Sequence, residues 1–285
     1  MSEQTRYVVA KYVPELFRNE PRNVGVIVWT PHGKVDARFW GENGGGIDGR
    51  KVPDWVKSKV TYKEWVHFWR TCLFQGQLKV KGRSVRSSAA RFLDVLAQTG
   101  DANYILGDGG KIAEEIDAVD LPALTSYLFD LLVDKETDEE TAKNAYELER
   151  TCNRVIRETN AYTDRHFLRN KGVFCKIADG VRELFEFDYY YGNGDPEWLY
   201  KRVPLGTRQL NKHVDSTAWQ FEKVVTSGVI PRDQGAALIM PSEEQRADEQ
   251  VQRAISVLQT VTRVIDLTAE PHRLTQELNS IAKAA

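Results

Sequence analysis

The sequence predicts an α+β or mixed α/β protein, with two domains joined by a long helix. Three observations predict it. The first forty residues hold three strand-like runs. A helical segment with a heptad period separates the two halves. The remainder alternates strand-like and helical stretches. The expected layout is an α+β domain over residues 1–135, a connecting helix over 136–165 and a mixed α/β domain over 166–285.

The N-terminal runs are Arg6 to Pro14, Glu20 to Trp29 and Lys34 to Trp40. Each is rich in β-branched and aromatic residues and bounded by Pro, Gly or Asn. Thr30-Pro31-His32-Gly33 is a turn, so the second and third runs form a hairpin. Gly41, Gly44, Gly45, Gly46 and Gly49 then make a loop. It is not a phosphate loop, because no Gly-Lys-Ser/Thr follows. Thr61 and Glu64 form a capping-box pattern. The helix it opens carries Trp65, Phe68, Trp69, Cys72 and Leu73 on one face. Residues 77–85 are a basic loop or edge strand, and Ser87 or Ser88 caps a second helix with Phe92, Leu93 and Leu96 inward. Asn103–Leu106 is a short strand ending at Gly107-Asp108-Gly109-Gly110, and a third helix covers 121–133.

Thr137 to Glu140 is another capping-box pattern, opening the long helix that runs to about Tyr162. Its less polar positions are Ala145, Leu148, Cys152, Val155, Thr159 and Tyr162. They are too small and polar for a coiled coil, so the helix packs along the body or bridges the domains. Strands follow at 173–177, 184–191, 198–203 and 236–240. Ser242 caps a helix with Val251, Ala254, Ile255, Leu258 and Val261 inward. A strand at 263–267 and a helix with Leu274, Leu278 and Ile281 inward end the chain.

Composition, 41% hydrophobic and 28% charged, is that of a globular protein. No apolar run is long enough to span a bilayer, and Arg6 and Lys11 interrupt the only early apolar stretch. The expected location is the cytoplasm, with no membrane partner. Cys72, Cys152 and Cys175 are scattered and form no metal-ligand spacing, so reduced, buried thiols and no zinc are expected. The net charge of −2 hides an asymmetry. Residues 50–91 hold eleven bases against two acids, and residues 114–150 hold twelve acids against three bases. Either the basic part meets a polyanion or the two segments dock on each other.

Tyr7…Tyr12-Val13-Pro14, Glu20-x-x-Asn23-Val24-Gly25-Val26 and the hairpin after them resemble a bacterial family known only as a domain of unknown function. The resemblance covers about residues 5–135 and does not extend to the second half. It implies a gene neighbourhood beside HipA-like kinases, hence a toxin–antitoxin or antiviral defence setting and a kinase as protein partner. It supplies no catalytic residues. Read physically, Gly25 marks a bulge or a close backbone approach. Glu20 and Asn23 either bind a partner or bond local backbone groups at the strand entry.

Two groups of residues carry candidate chemistry. In the basic segment, Lys79, Lys81, Arg83, Arg86 and Arg91 can neutralise phosphates, with Trp55, Tyr62, Trp65, Phe68 and Trp69 available for stacking. The competing reading makes those aromatics the core face of one helix and the bases its solvated surface. In the second half, period-two alternation puts Glu186 and Asp188 on one strand face, with Phe185, Phe187, Tyr189 and Tyr191 on the other. Beyond the Gly192–Pro196 turn, Lys201 falls on the polar face. Glu186, Asp188 and Lys201 are the ingredients of an Mg²⁺-dependent nuclease, but Glu197 and Lys201 are four residues apart where the nuclease pattern has two. An amphipathic hairpin with cross-strand ion pairs explains the same residues, so no cofactor, metal or catalytic residue is assigned. The five histidines form no ligand pair, and no serine-hydrolase elbow or dinucleotide fingerprint is present. The expected function is a binding or regulatory module for nucleic acid or a protein partner, with a divergent nuclease as the alternative.

Overall fold

The computed structural model describes residues 4–14, 20–43, 46–75, 77–80, 83–86, 104–113, 116–117, 120–134, 139–178, 180–206 and 210–284. The fold is α+β, and the chain divides into two compact units, Met1–Glu139 and Glu140–Ala285. Among the described residues no helix is long and apolar enough to cross a membrane. The helix expected at 88–100 and the Thr137 cap lie outside the described residues.

In the first unit, β1 (Arg6–Tyr12), β2 (Arg22–Trp29), β3 (Val35–Phe39) and β8 (Tyr104–Lys111) form an antiparallel sheet in the order β3-β2-β1-β8. Between β3 and β8 lie two small ribbons, β4 (Glu42–Asn43) with β5 (Gly46–Ile47), and β6 (Gln77–Val80) with β7 (Arg83–Arg86). Helix α1 (Lys59–Gln75) covers one face of the large sheet, through Tyr62, Val66 and Trp69. Helix α2 (Leu121–Leu132) packs on β2 and β3. There Trp40 meets Phe129 edge-on, and Arg38 pairs with Asp130 at 3.2 Å. With both faces covered, β2 is buried from Val24 to Trp29 and reads as a continuous apolar run instead of an alternating one.

The family-like motif sits where β1 meets β2. The register slips between Ala10 and Lys11, leaving Val24 as a one-residue bulge. The carbonyl of Val24 accepts from the Trp40 amide at 2.9 Å and from the Tyr62 hydroxyl at 3.4 Å. Gly25 lies directly opposite Phe39, whose ring covers it; a Cβ there would stand 2.2 Å from Phe39 Cδ1. The close approach expected at Gly25 is present, and the bulge falls one residue earlier, at Val24.

Several local expectations are corrected. Helix α1 starts earlier than Thr61: the Ser58 hydroxyl accepts from the Thr61 amide at 3.3 Å and is the cap. Its buried stripe is Tyr62, Val66 and Trp69, with Trp65 partly buried beside it, and Phe68 is exposed. Gly107 to Gly110 is strand, not turn. Gly110 lies against the Tyr7 ring and Gly109 against the Tyr7 carbonyl, approaches that a side chain would block.

In the second unit, β9 (Phe167–Ala178), β10 (Val181–Tyr191), β11 (Trp198–Arg202), β12 (Gly235–Ile239) and β13 (Arg263–Asp266) form one mixed sheet in reverse sequence order. Strands β9, β10 and β11 are antiparallel neighbours; β11, β12 and β13 are parallel. Parallel neighbours need crossovers. Helix α4 (Leu210–Thr226) makes the first, a helix that the sequence reading omits. A short helix α5 (Glu243–Ala247) and then α6 (Glu249–Val261) make the second. Ser242 caps only α5, with a complete capping box; Asp248 caps α6 by accepting from the Gln250 and Val251 amides. Helices α4 and α6 pack on one sheet face through Val214, Phe221, Val251 and Leu258. The expected connecting helix, α3 (Glu139–Arg157), packs with α7 (Arg273–Ala284) in the core of the other face through Leu148, Cys152, Leu274 and Leu278. It is thus a layer of the second unit.

Replacing Gly25 by alanine will force Phe39 or the β3 backbone away. Chemical denaturation will show a loss of about 1–3 kcal/mol, the usual cost of overpacking a core. A neutral result would mean that β2 and β3 separate easily here.

Candidate functional site

The nuclease-type constellation is taken apart by the fold. Asp188 does not face Lys201. Its Oδ2 accepts from the Arg202 amide at 2.7 Å and its Oδ1 from the Arg202 guanidinium at 2.8 Å. The same guanidinium reaches Glu149 Oε2 on α3 at 2.6 Å. Lys201 Nζ donates to the backbone carbonyl of Glu186 at 2.5 Å. The Glu186 side chain is exposed. The three residues therefore do not converge, and among the described residues no group of three or more His, Cys, Asp or Glu side chains is placed to hold a metal.

The cause is a break in the alternation of β10. Phe185 and Phe187 pack in the cluster with α4 and α6, as does Tyr190. Tyr189 packs in the opposite cluster with α3 and Tyr200. Two residues apart on one strand, Phe187 and Tyr189 lie on opposite faces, against the expected shared aromatic face. The partner strand turns at the same level. Asn170, between the pairs Lys171–Phe187 and Arg169–Tyr189, has a φ of 50°, in the left-handed region.

Arg202 stays charged despite burial, because Asp188 and Glu149 outweigh the loss of solvent. Around it are Cys152, whose thiol burial pushes up to about 12, and Tyr189, whose hydroxyl burial raises well above its ordinary value. Asn153 Oδ1 accepts from Arg169 at 3.2 Å and from the Tyr189 hydroxyl at 3.4 Å. These groups form a structural network, in which one buried nitrogen of Arg169 has no hydrogen-bond partner.

A cavity of about 520 Å³ lies between the β10–β11 turn and α7, lined by His166, Tyr191, Glu197, Trp198, Glu277 and Ser280 among others. Sequence reasoning did not find it, because its walls come from segments nearly a hundred residues apart. Much of its polar lining is already engaged. Arg263 bonds both Glu277 oxygens at 2.6 and 2.8 Å, and the Tyr200 hydroxyl adds a bond at 2.7 Å. Tyr191 donates to Asp164 at 2.9 Å.

In the first unit, Asn23 Nδ2 donates to the Leu132 carbonyl at 2.7 Å and so satisfies the end of α2. Glu20 is exposed. Of the expected phosphate-binding residues, Lys79, Arg83 and Arg86 lie on the β6–β7 ribbon, where Lys79 pairs with Ser84, Val80 with Arg83 and Gln77 with Arg86. Lys81 and Arg91 lie outside the described residues. Upstream, Arg50, Lys51, Lys57 and Lys63 are exposed, with His67 and Phe68 on the outer side of α1. Lys63 Nζ would stand 3.5 Å from a Cβ at Gly49, beside Arg50. Arg50 holds Asp48 through two side-chain bonds, which pulls that carboxyl down to about 2.

Asp188→Ala will leave Arg202 half-neutralised and is expected to lower stability by about 3 kcal/mol, the range for breaking a buried ion pair. Arg202→Met strands Asp188 and Glu149 without their shared cation and will cost at least as much. A near-neutral loss for either variant in urea unfolding would contradict the network. No protein-family model matches this chain, and neither a curated protein nor a solved structure matches it.

Proposed function

We propose that the protein is a binding and regulatory module that engages nucleic acid through the basic segment of its first unit. It would act in the bacterial cytoplasm in a defence or toxin–antitoxin setting, with a HipA-like kinase as protein partner by the family resemblance. One observation carries the nucleic-acid reading: Lys51 and Lys63 are exposed in the basic segment, and Phe68 is exposed as well. Cations neutralise phosphates, and an exposed ring offers a base a stacking surface. Helix α1 has its core stripe in Tyr62, Val66 and Trp69, and Phe68, whose ring meets Trp69 edge-on, lies outside that buried cluster. The basic β6–β7 ribbon follows directly and continues the positive segment.

Fluorescence anisotropy with a labelled single-stranded oligonucleotide will test this. Wild-type affinity should fall steeply between 50 and 200 mM salt, as expected for phosphate contacts. Reversal of Lys51, Lys63, Lys79 and Arg83 to glutamate should weaken binding at least about tenfold and flatten the salt slope. Absent wild-type binding at low salt, or an unchanged variant, refutes the reading.

The nuclease alternative lacks this kind of support, because Asp188 serves Arg202 and Lys201 serves a carbonyl. Incubation with DNA and RNA over Mg²⁺ and Mn²⁺ is expected to give no cleavage. Robust cutting that Asp188→Asn abolishes, with the circular dichroism unchanged, would promote the nuclease instead.

A further inference from the structure

The cavity beside the β10–β11 turn has walls that the fold holds still. Tyr191 and Trp198 are directly paired across β10 and β11. The turn between them is pinned at three points. The Gly192 amide donates to the His166 carbonyl at 3.2 Å, the Glu197 amide to the Tyr191 carbonyl at 2.9 Å, and the Tyr190 hydroxyl to the Gly194 carbonyl at 2.9 Å. Helix α7, which carries Glu277 and Ser280, is tied down by the Arg263–Glu277 pair and by Asn279, whose Oδ1 accepts from the Asn160 amide at 2.9 Å. Walls fixed in this way are pre-organised for a ligand. At about 520 Å³, the cavity has the size of a small-molecule site.

The lining selects by charge. Among the described residues it holds two carboxylates, Glu197 and Glu277, and no lysine or arginine. Glu277 is neutralised by Arg263. His166 Nε2 accepts from Arg165 Nε at 3.1 Å, and a ring nitrogen that accepts carries no proton. Glu197 is what remains. Its carboxylate, like the Asn193 amide and the Ser280 hydroxyl, has no hydrogen-bond or ion-pair partner among the described residues. It shares the cavity with the rings of Tyr191, Trp198 and His166. Trp198 already attracts one cation, the Arg263 guanidinium 5.2 Å from the ring centroid, and Arg263 is not part of the lining. A free carboxylate combined with aromatic rings is the chemistry that recognises an organic cation.

We propose that this cavity binds a small organic cation, with its ammonium group at Glu197 and an aromatic or other apolar body against Trp198 and Tyr191. Asn193 and Ser280 supply hydrogen bonds to polar substituents. Glu197 repels an anion, and a neutral molecule of the same shape forgoes the charge pairing. The site belongs to the second unit and is independent of the nucleic-acid reading.

Titration of the full chain by ligand-observed NMR will test the proposal with three probes that share one ring system: tryptamine, the neutral tryptophol and the anionic indole-3-acetate. Tryptamine should bind with a dissociation constant of about 2 mM or tighter, the level that ordinary ligand efficiency sets for its size. It should bind about tenfold tighter than tryptophol, and indole-3-acetate weakest of the three. Glu197→Gln should abolish the preference for tryptamine and leave tryptophol unchanged. Glu243→Gln, an exposed acid on α5, should change neither. Trp198→Leu should weaken tryptamine and tryptophol alike. Glu197 is exposed, so its substitution leaves the core intact, and circular dichroism melts will confirm that each variant folds. Nα-acetyl-lysine methylamide distinguishes the source of the cation. Tighter binding of tryptamine supports a free amine; tighter binding of the lysine derivative assigns the cation to a polypeptide side chain and overturns the small-molecule reading. No tryptamine binding, equal binding of tryptophol, or a preference that survives Glu197→Gln overturns the proposal outright.

Discussion

The guanidinium of Arg202, held between Asp188 of β10 and Glu149 of α3, governs the second unit. A buried cation is tolerable only when its carboxylates are in place, so the two strands and the helix must assemble together. Satisfying Arg202 holds Asp188 on the α3 side, while Lys201 lies over the Phe187 ring on the other. That arrangement accompanies the rotation of β10 between Phe187 and Tyr189, and the left-handed Asn170 on the neighbouring strand. The aromatic residues beyond the break then serve the opposite core, where Tyr189 and Tyr200 lie beside α3 and α7. One ion network thus fixes which core each half of the strand supports.

The first unit is organised by a smaller device of the same kind. The Val24 carbonyl accepts from the Trp40 amide, one step beyond the Gly25–Phe39 pair, and the Tyr62 hydroxyl reaches the same oxygen. Tyr62 also bonds the Trp40 carbonyl at 3.1 Å, tying α1 to the end of β3. Asn23 ties the start of β2 to the last turn of α2. The Asn-Val-Gly triplet therefore joins both helices to the sheet, a structural explanation for a motif that sequence alone presents as a possible binding site.

The strands were legible because β-branched and aromatic residues crowd them and because turns bound them. Most ends fall within a few residues of expectation; β9, expected from Val173, begins at Phe167. Helix α4 was equally legible: Leu210, Val214, Ala218, Phe221 and Val224 have helical spacing, and only the intervening polar residues disguise it. What the sequence withheld was contact between distant residues. Strict alternation places Asp188 beside Glu186, and nothing local announces that Arg202 will claim it. The glycines of β8 were misread for a related reason. Glycine reads as turn until the ring that fills its space, here Tyr7, is known. Asn23 reads as a partner ligand or a local backbone bond, and its bond to the carbonyl of Leu132 is a distant contact that neither reading contains.

Cys152 lies at the centre of the Arg202 network and is fully buried. Burial pushes its thiol up to about 12, so near neutral pH it carries far less thiolate than a free cysteine. Oxidants and alkylating reagents therefore find almost nothing to attack while α3 is seated. Once that helix lifts, the same sulfur regains ordinary reactivity. Its labelling rate is then a clock for the opening of the second unit, wound into the chain by the ion network that hides it.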